Sequence, residues 1–505
     1  MRYLIGVDVG TSGTKAALFD ELGRTVASKT IDYPMYQPKN GWAEQDPEDW
    51  RRAALGAISE VSSKVPVGSV AALGVTGQMH GLVMLGERGE VLRRAIIWCD
   101  QRTGEECREL EALVGRDKLI SISANPAMTG FTASKLVWVK KHEPEIFDRC
   151  RHILLPKDYI RYVLTGEFAT DVSDASGMQL LDVPHREWSD ELLDLLGIRR
   201  EMLGRVYESP EVTGFVTKEA AALCRIPAGT PVVAGAGDNA AAAVGMGVVT
   251  EGEAFTTIGT SGVVFAHTKR PLIDPLGRIH TFCCAVPGEW HVMGVTQAAG
   301  LSMRWLRDTV CSAEVLESGK TCVDPYEVMT AEAKNSPIGA NRLIYLPYLM
   351  GERTPHADPD CRGAFIGLSA SHTRSDLIRS VMEGVSYSLR DCLEVLAEVG
   401  IKPESMKICG GGARSPLWRQ MLADVYELPI CQTGSDEGPA LGAALLASVG
   451  CGIYGSVGEA CKAAVTTRGQ VLPDRERCGR YGEFYEIYKG LYKSLKDSFG
   501  RLSTL

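Results

Sequence analysis

The sequence predicts an α/β protein built as two lobes, and three observations carry that prediction. The tetrapeptide Gly-Thr-Ser-Gly occurs twice, at 10–13 and at 259–262, each time between two β-rich runs. Two further glycine turns, at 410–415 and 438–442, lead into helical stretches. The chain has 505 residues, more than one ordinary domain of roughly 100–200.

Each element follows in order. YLIGVDV reads as a strand, GTSGT as a turn and KAALFD as a second strand; Asp20-Glu21-Leu22-Gly23 then turns into RTVASKT. Residues 70–75 and 95–98 read as buried strands, and 134–141 as a helix with Leu136, Val137 and Val139 apolar. The polar stretch 35–46 reads as a surface loop that could carry function. From residue 231 the pattern restarts: PVVAGAGDNAAAAVG is a strand, a glycine turn with one Asp, and a small-residue helix. AFTTIGTSGVVFAHT then supplies the second copy of the turn. A short strand at 407–409 precedes Gly410, and Ser415 can cap a helix that opens on Pro416. Gly438 opens another helix, which Gly450 stops. From about Tyr481 an amphipathic helix carries Phe484, Ile487, Tyr488, Leu491 and Leu495 at helical spacing, a stripe suited to packing on a lobe.

Composition narrows the function classes. There are 63 acidic against 54 basic residues, a net charge of −9, so no basic surplus exists for generic nucleic-acid binding. Asp8 interrupts the apolar start too early for a signal peptide. Two charge-free stretches, 65–86 and 438–458, contain Pro66, Pro439 and many glycines, which makes them poor membrane spans. The 15 cysteines are an odd number without a CxxC pair, so neither a zinc nor a disulfide framework follows. Free thiols in a reducing cytosol are the expectation.

Glycine lets backbone approach a phosphate closely, and Thr or Ser adds a hydroxyl beside the exposed N–H groups. Gly10, Thr11, Ser12 and Gly13, repeated as Gly259, Thr260, Ser261 and Gly262, therefore favour phosphate binding over an ordinary hairpin turn. Asp8 beside the first turn suits a magnesium ion held between carboxylate and phosphate. No GxxxxGK[ST] occurs, so a P-loop is absent. Gly235-Ala236-Gly237-Asp238-Asn239-Ala240 matches the GxGxxA dinucleotide pattern, but the acidic residue expected about 20 positions on is missing. Asp238 has two readings of equal weight: a partly desolvated general base, or a helix N-cap ahead of the alanines. Gly77-Gln78-Met79-His80-Gly81 ends a strand with a polar ring exposed, though His80 taken alone is more often structural. Trp98-Cys99-Asp100-Gln101-Arg102 ends another strand, with an internal Arg–Asp pair as its bland reading.

Taken together these segments resemble the FGGY family of carbohydrate kinases. Residues 130–142 (GFTASKLVWVKKH) are similar to its first signature and 363–383 (GAFIGLSASHTRSDLIRSVME) to its second, and the likeness runs from Leu4 to about Leu446. The resemblance implies two ribonuclease-H-like lobes of the actin and hexokinase type, at 1–247 for the sugar and 248–505 for ATP, which sugar binding draws together. It implies Asp238 as catalytic base, Asp8 as the magnesium ligand, and Met79, His80, Asp238 and Asn239 as sugar contacts. Gly10 to Gly13, Gly259 and Thr260 would cradle phosphates, and Gly411 and Gly412 the adenosine.

Four more segments, 41–47, 77–81, 155–159 and 351–356, point within the family to D-xylulose as the phosphoryl acceptor. An Arg-Glu pair at positions 79 and 80 would imply glycerol; Met79-His80 leaves D-gluconate as the nearest alternative, and D-ribulose behind it. Two departures, Cys99 and Cys284, stand where other side chains are usual and could shift specificity. Outside catalysis the alternative is an actin-like nucleotide switch. The expected cofactors are ATP and Mg2+, the partner a small sugar with no nucleic acid and no membrane, the assembly a homodimer, and the location cytoplasmic.

Overall fold

A computed structural model describes residues 2–434 and 437–504. Two seven-stranded mixed sheets dominate it, each organised around one Gly-Thr-Ser-Gly turn. In the first, β1 (Tyr3–Val9), β2 (Gly13–Asp20) and β3 (Thr25–Asp32) form an antiparallel meander. β4 (Val70–Gly77) runs parallel to β1. At the far edge β5 (Val212–Phe215) is antiparallel to β6 (Pro231–Val233), while β6 and β7 (Ala236–Gly237) lie parallel to β4.

The second sheet repeats the plan. β8 (Ala254–Ile258), β9 (Gly262–Thr268) and β11 (Trp290–Thr296) make the meander, and β10 (His280–Cys283) extends it. β12 (Met406–Cys409) runs parallel to β8, β13 (Ile430–Thr433) parallel to β12, and β14 (Thr467–Val471) closes the edge antiparallel. This is the two-lobed α/β arrangement expected of paired ribonuclease-H-like sheets.

Strand period explains the layers. Ile5, Val7 and Val9 face the core that α1 (Pro47–Ser62) covers with Trp50, Ala54 and Ile58. Leu4 faces the opposite layer, where α3 (Asp238–Gly245) and α6 (Gly438–Gly450) supply mostly alanine and leucine. Gly6 shares that face and must be glycine, because a Cβ there would lie 1.8 Å from the Ala440 carbonyl oxygen. The next residue on the same face is Asp8. α6 meets α3 as closely, since a Cβ on Gly442 would fall 1.8 Å from the Ala241 oxygen. A helix from the last quarter of the chain thus seals the first sheet. α2 (Thr132–His142) packs in a separate apolar cluster with Leu82, Met84 and Ile96; in the second half α4 (Arg374–Glu398), α5 (Pro416–Tyr426) and α7 (Arg475–Ser503) pack on the second core.

Several sequence expectations need adjustment. The strand expected at 95–98 is only Ala95–Ile96, paired with Glu44–Gln45. The supposed surface loop 35–46 therefore buries Ala43, Glu44 and Gln45. α7 begins at Arg475 and buries Tyr481, Tyr485, Tyr488 and Phe499; of the expected stripe Phe484, Tyr488, Leu491 and Leu495 pack on the second core, whereas Ile487 is exposed. Ser415 does cap α5, accepting from the Trp418 N–H. Among the described residues no helix is long and apolar enough to cross a membrane.

Candidate active site

The strand register brings the two acidic candidates to one end of the first sheet. Asp8 lies beside Thr76 across β1 and β4, and Thr76 lies beside Ala236 across β4 and β7. β7 ends at Gly237, so Asp238 begins α3 as its first helical residue. The N-cap position belongs to Gly237, which corrects the capping alternative. Gly235 needs its positive φ of 75°, and a Cβ there would lie 1.8 Å from the Val75 oxygen. That glycine serves strand packing, not a dinucleotide.

Burial, reinforced by the charge of Asp8, pushes the Asp238 carboxyl up to about 7, against hydrogen bonds from Asn239 that lower it. Asn239 gives Oδ1 of Asp238 both its backbone N–H at 2.7 Å and its side-chain amide at 3.0 Å. Oδ2 has no partner among the described residues and is the free proton-accepting atom. Burial likewise lifts Asp8 to about 6, with Lys15 opposing and Glu437 adding to the shift. Lys15 itself is paired with Glu437 at 2.8 Å.

Met79 and His80 lie where two glycines make room. A Cβ on Gly237 would sit 2.9 Å from Met79 Cγ, and one on Gly177 would sit 2.3 Å from His80 Nδ1. His80 has a positive φ of 68°, a conformation uncommon outside glycine. Three contacts hold it there. Thr132 Oγ1 and Lys135 Nζ donate to its carbonyl oxygen at 3.1 and 2.9 Å, and its ring Nδ1 is 2.8 Å from the Gly177 oxygen. Its imidazole is driven down to about 3, by burial first and then by the charges of Lys135 and Arg353, and so stays neutral. Lys135 is fully buried, and desolvation pulls its ammonium down to about 7.

Both glycine turns expose the same edge. Gly10 O accepts from Tyr33 OH and Gln78, Thr11 O accepts from Gln45 at 2.6 Å, and Trp98 donates to Thr11 Oγ1 at 3.0 Å. In the second turn Gly259 O accepts from Gly300 N and Thr260 O from Leu301 N. The carbonyl oxygens are thus occupied from behind. The N–H groups of Thr11, Ser12, Thr260 and Ser261 have no acceptor among the described residues. Such unpaired donors in a turn form an anion-binding concavity. Gly259, Thr260, Gly411 and Gly412 line one cavity of about 700 Å³, together with Met303, Arg304, Tyr326 and Lys334. No hydrogen bond among the described residues joins the two turns.

Sequence reasoning missed several residues that organise this site. The segment 171–178 grips it from two sides: Gly237 N donates to Ser173 Oγ at 3.1 Å, and Gly177 O meets His80. Ser173 in turn donates to Asp171 at 2.6 Å, which buried Lys157 pairs at 2.9 Å. Gln45, buried and not on a surface loop, and Gln78 brace the first turn. The Asp100–Arg102 pair is internal, as its bland reading had it, with Arg102 stacked 3.6 Å from the Trp42 ring centre. Cys99 is half-buried in the field of Lys135, whereas Cys284 turns its thiol to the Val286 oxygen.

Comparison with known proteins places these features in a lineage. Residues 3–245 match the N-terminal domain of the FGGY family of carbohydrate kinases, and 254–451 match its C-terminal domain. The chain is 42% identical to a xylulose kinase of Escherichia coli K12 over 97% of its own length and 99% of that protein. It is 30% identical to a gluconokinase of Bacillus subtilis, over 99% of this chain and 98% of that protein. A crystal structure of a kinase from Brucella ovis, described as acting on "xyloylose", superposes with a TM-score of 0.90 at 36% identity, covering 98% of this chain and all of the other.

Proposed function

The chain belongs to the FGGY family of carbohydrate kinases, and on that premise we propose that it transfers the γ-phosphoryl group of ATP to the terminal hydroxyl of D-xylulose, giving D-xylulose 5-phosphate in pentose catabolism. The observation that carries the reading is the pairing of a free, desolvated Asp238 Oδ2 with the Met79-His80 pocket beside it. In this mechanism Oδ2 accepts the proton of the sugar hydroxyl while that oxygen attacks the γ-phosphorus. The P–O bond to the leaving ADP breaks as the new one forms. His80 and Asn239 hold sugar hydroxyls, and Met79 packs on the carbon chain. The N–H edges of 10–13 and 259–262 hold phosphate oxygens, and Gly411 and Gly412 admit the adenosine.

Magnesium fits as an ion carried in with the nucleotide. Asp8 offers a carboxylate with no ion-pair partner, and no cluster of three His, Cys, Asp or Glu side chains able to hold a metal occurs among the described residues. Its other ligands would be phosphate oxygens and water, and when bound it would neutralise phosphate charge. The reading divides the chain near 247 and 248 into a sugar lobe and an ATP lobe, whose closure excludes water as a competing acceptor. It also has the enzyme act as a cytoplasmic homodimer.

The test is magnesium-dependent ADP release with D-xylulose, D-gluconate, D-ribulose, glycerol or no sugar. Strong stimulation by D-xylulose alone is expected. Stimulation by D-gluconate alone would move the chain toward its gluconokinase relative. Equal turnover without any sugar would favour a nucleotide switch.

A further inference from the structure

Arg353 is half-buried and has almost nothing to donate to. Its Nη1 is 3.4 Å from His280 Nε2, its buried Nε has no partner, and Nη2 has none among the described residues. No carboxylate comes within ion-pair distance of the guanidinium among the described residues; Glu352 accepts the Arg353 backbone N–H at 2.8 Å and reaches the guanidinium only through its charge. His280 is fixed as an acceptor at Nε2. Its Nδ1 meets Asn125 Oδ1 at 2.8 Å, while the Asn125 amide donates to the Ser123 and Thr281 oxygens. Arg353 therefore has one long hydrogen bond for five N–H donors. A desolvated guanidinium in that state calls for oxygen acceptors.

The backbone that presents it is rigid. Glu352 accepts from Thr296 Oγ1 at 2.7 Å and from Gln297 N at 2.9 Å, and Thr354 exchanges two bonds of 3.0 Å with Val295. The guanidinium meets the edge of His280 at Nε2, and that ring packs 5.6 Å from both Phe131 and Phe282. Those two rings in turn flank His80, at 4.4 and 6.1 Å. The positive charge of Arg353 acts on His80, so the guanidinium lies, through His280 and the two phenylalanines, on the His80 side of the pocket.

We propose that Arg353 is a substrate-binding residue, donating from its planar fork to the carbonyl oxygen and the adjacent C1 hydroxyl of the open-chain ketose. The inference rests on the D-xylulose reading and adds a contact from the second half of the chain. Two adjacent oxygens match the guanidinium fork, which a lysine ammonium cannot reproduce.

The test compares wild type, Arg353→Met and Arg353→Lys on D-xylulose and on 1-deoxy-D-xylulose, which lacks the C1 hydroxyl. Arg353→Met is expected to lower kcat/KM for D-xylulose by about 100-fold, mostly through sugar KM, and that for the deoxy sugar by only about 10-fold. Arg353→Lys, which keeps the charge without the fork, should recover part of the loss on D-xylulose; it carries the comparison if the Met variant does not fold. Equal losses on both sugars, or a loss expressed in ATP KM, would overturn the assignment. Wild-type enzyme that ignores D-xylulose would instead overturn the substrate reading, before any variant is made.

Discussion

Asp238→Ala is expected to lower turnover with D-xylulose by about 10³-fold, while sugar binding remains measurable by calorimetry. A positioned general base typically contributes 10²–10⁴-fold, and Asp238 Oδ2 is the oxygen of this carboxylate that Asn239 leaves free. The wild-type pH profile follows from the same environment. Burial, with the charge of Asp8 behind it, holds the Asp238 carboxyl near 7. The base works only when ionised, so kcat/KM should fall as pH drops through about 7 and level off above it. Asp8, held near 6, steepens the fall below that value, and the two titrations belong to the pair. Asp8→Asn removes a neighbouring negative charge, so the limb that remains should move to lower pH. A limb in the ordinary carboxylate range near 4, or an Asp238→Ala enzyme with near-normal turnover, would remove Asp238 from this role.

Gly177→Ala is the second large effect expected, and it concerns the sugar. The new methyl carbon would lie 2.3 Å from His80 Nδ1 and 2.4 Å from Cε1. The ring cannot simply swing away, because Phe131 packs 4.4 Å from it and Thr132 and Lys135 fix its backbone oxygen. A displacement of about 1 Å in a positioning group costs on the order of 10²-fold. The loss should appear as a raised D-xylulose KM, with ATP KM within twofold of wild type. Alanine meets no backbone strain at 177, since its φ is not positive. Unchanged steady-state constants for the sugar would show that His80 does not touch it.

What was legible in the sequence was local. The two Gly-Thr-Ser-Gly turns announced the repeated meander because a glycine–hydroxyl turn between β runs leaves its whole signal within about fifteen residues. Asp8 and Asp238 stood out for the same reason, each next to a turn in an apolar run. Lys135 could be seen only as part of a signature, because its contact with His80 spans 55 residues. Gly177 and Ser173 were silent, and Gln45 stood out only within a segment, since their roles depend on which strand ends the fold brings together. The C-terminal helix was read in part: Phe484, Tyr488, Leu491 and Leu495 do pack on the second core, but Ile487 is exposed and Tyr481 and Tyr485 take the buried places. Tyr481, Tyr485 and Tyr488 share the helical spacing that Ile487 was assigned, and burial chose the tyrosines. Their hydroxyls meet Arg379 at 2.7 Å, Asp391 at 2.7 Å and Tyr348 at 3.1 Å, which satisfies the polar end of each ring.

The most direct measurement is a phosphorus NMR spectrum of the product formed from ATP and D-xylulose labelled with carbon-13 at C5. Transfer to the terminal hydroxyl predicts a phosphomonoester resonance split by the labelled carbon, growing as the ATP signals decline. Inorganic phosphate alone, or a phosphomonoester without that splitting, would contradict the account.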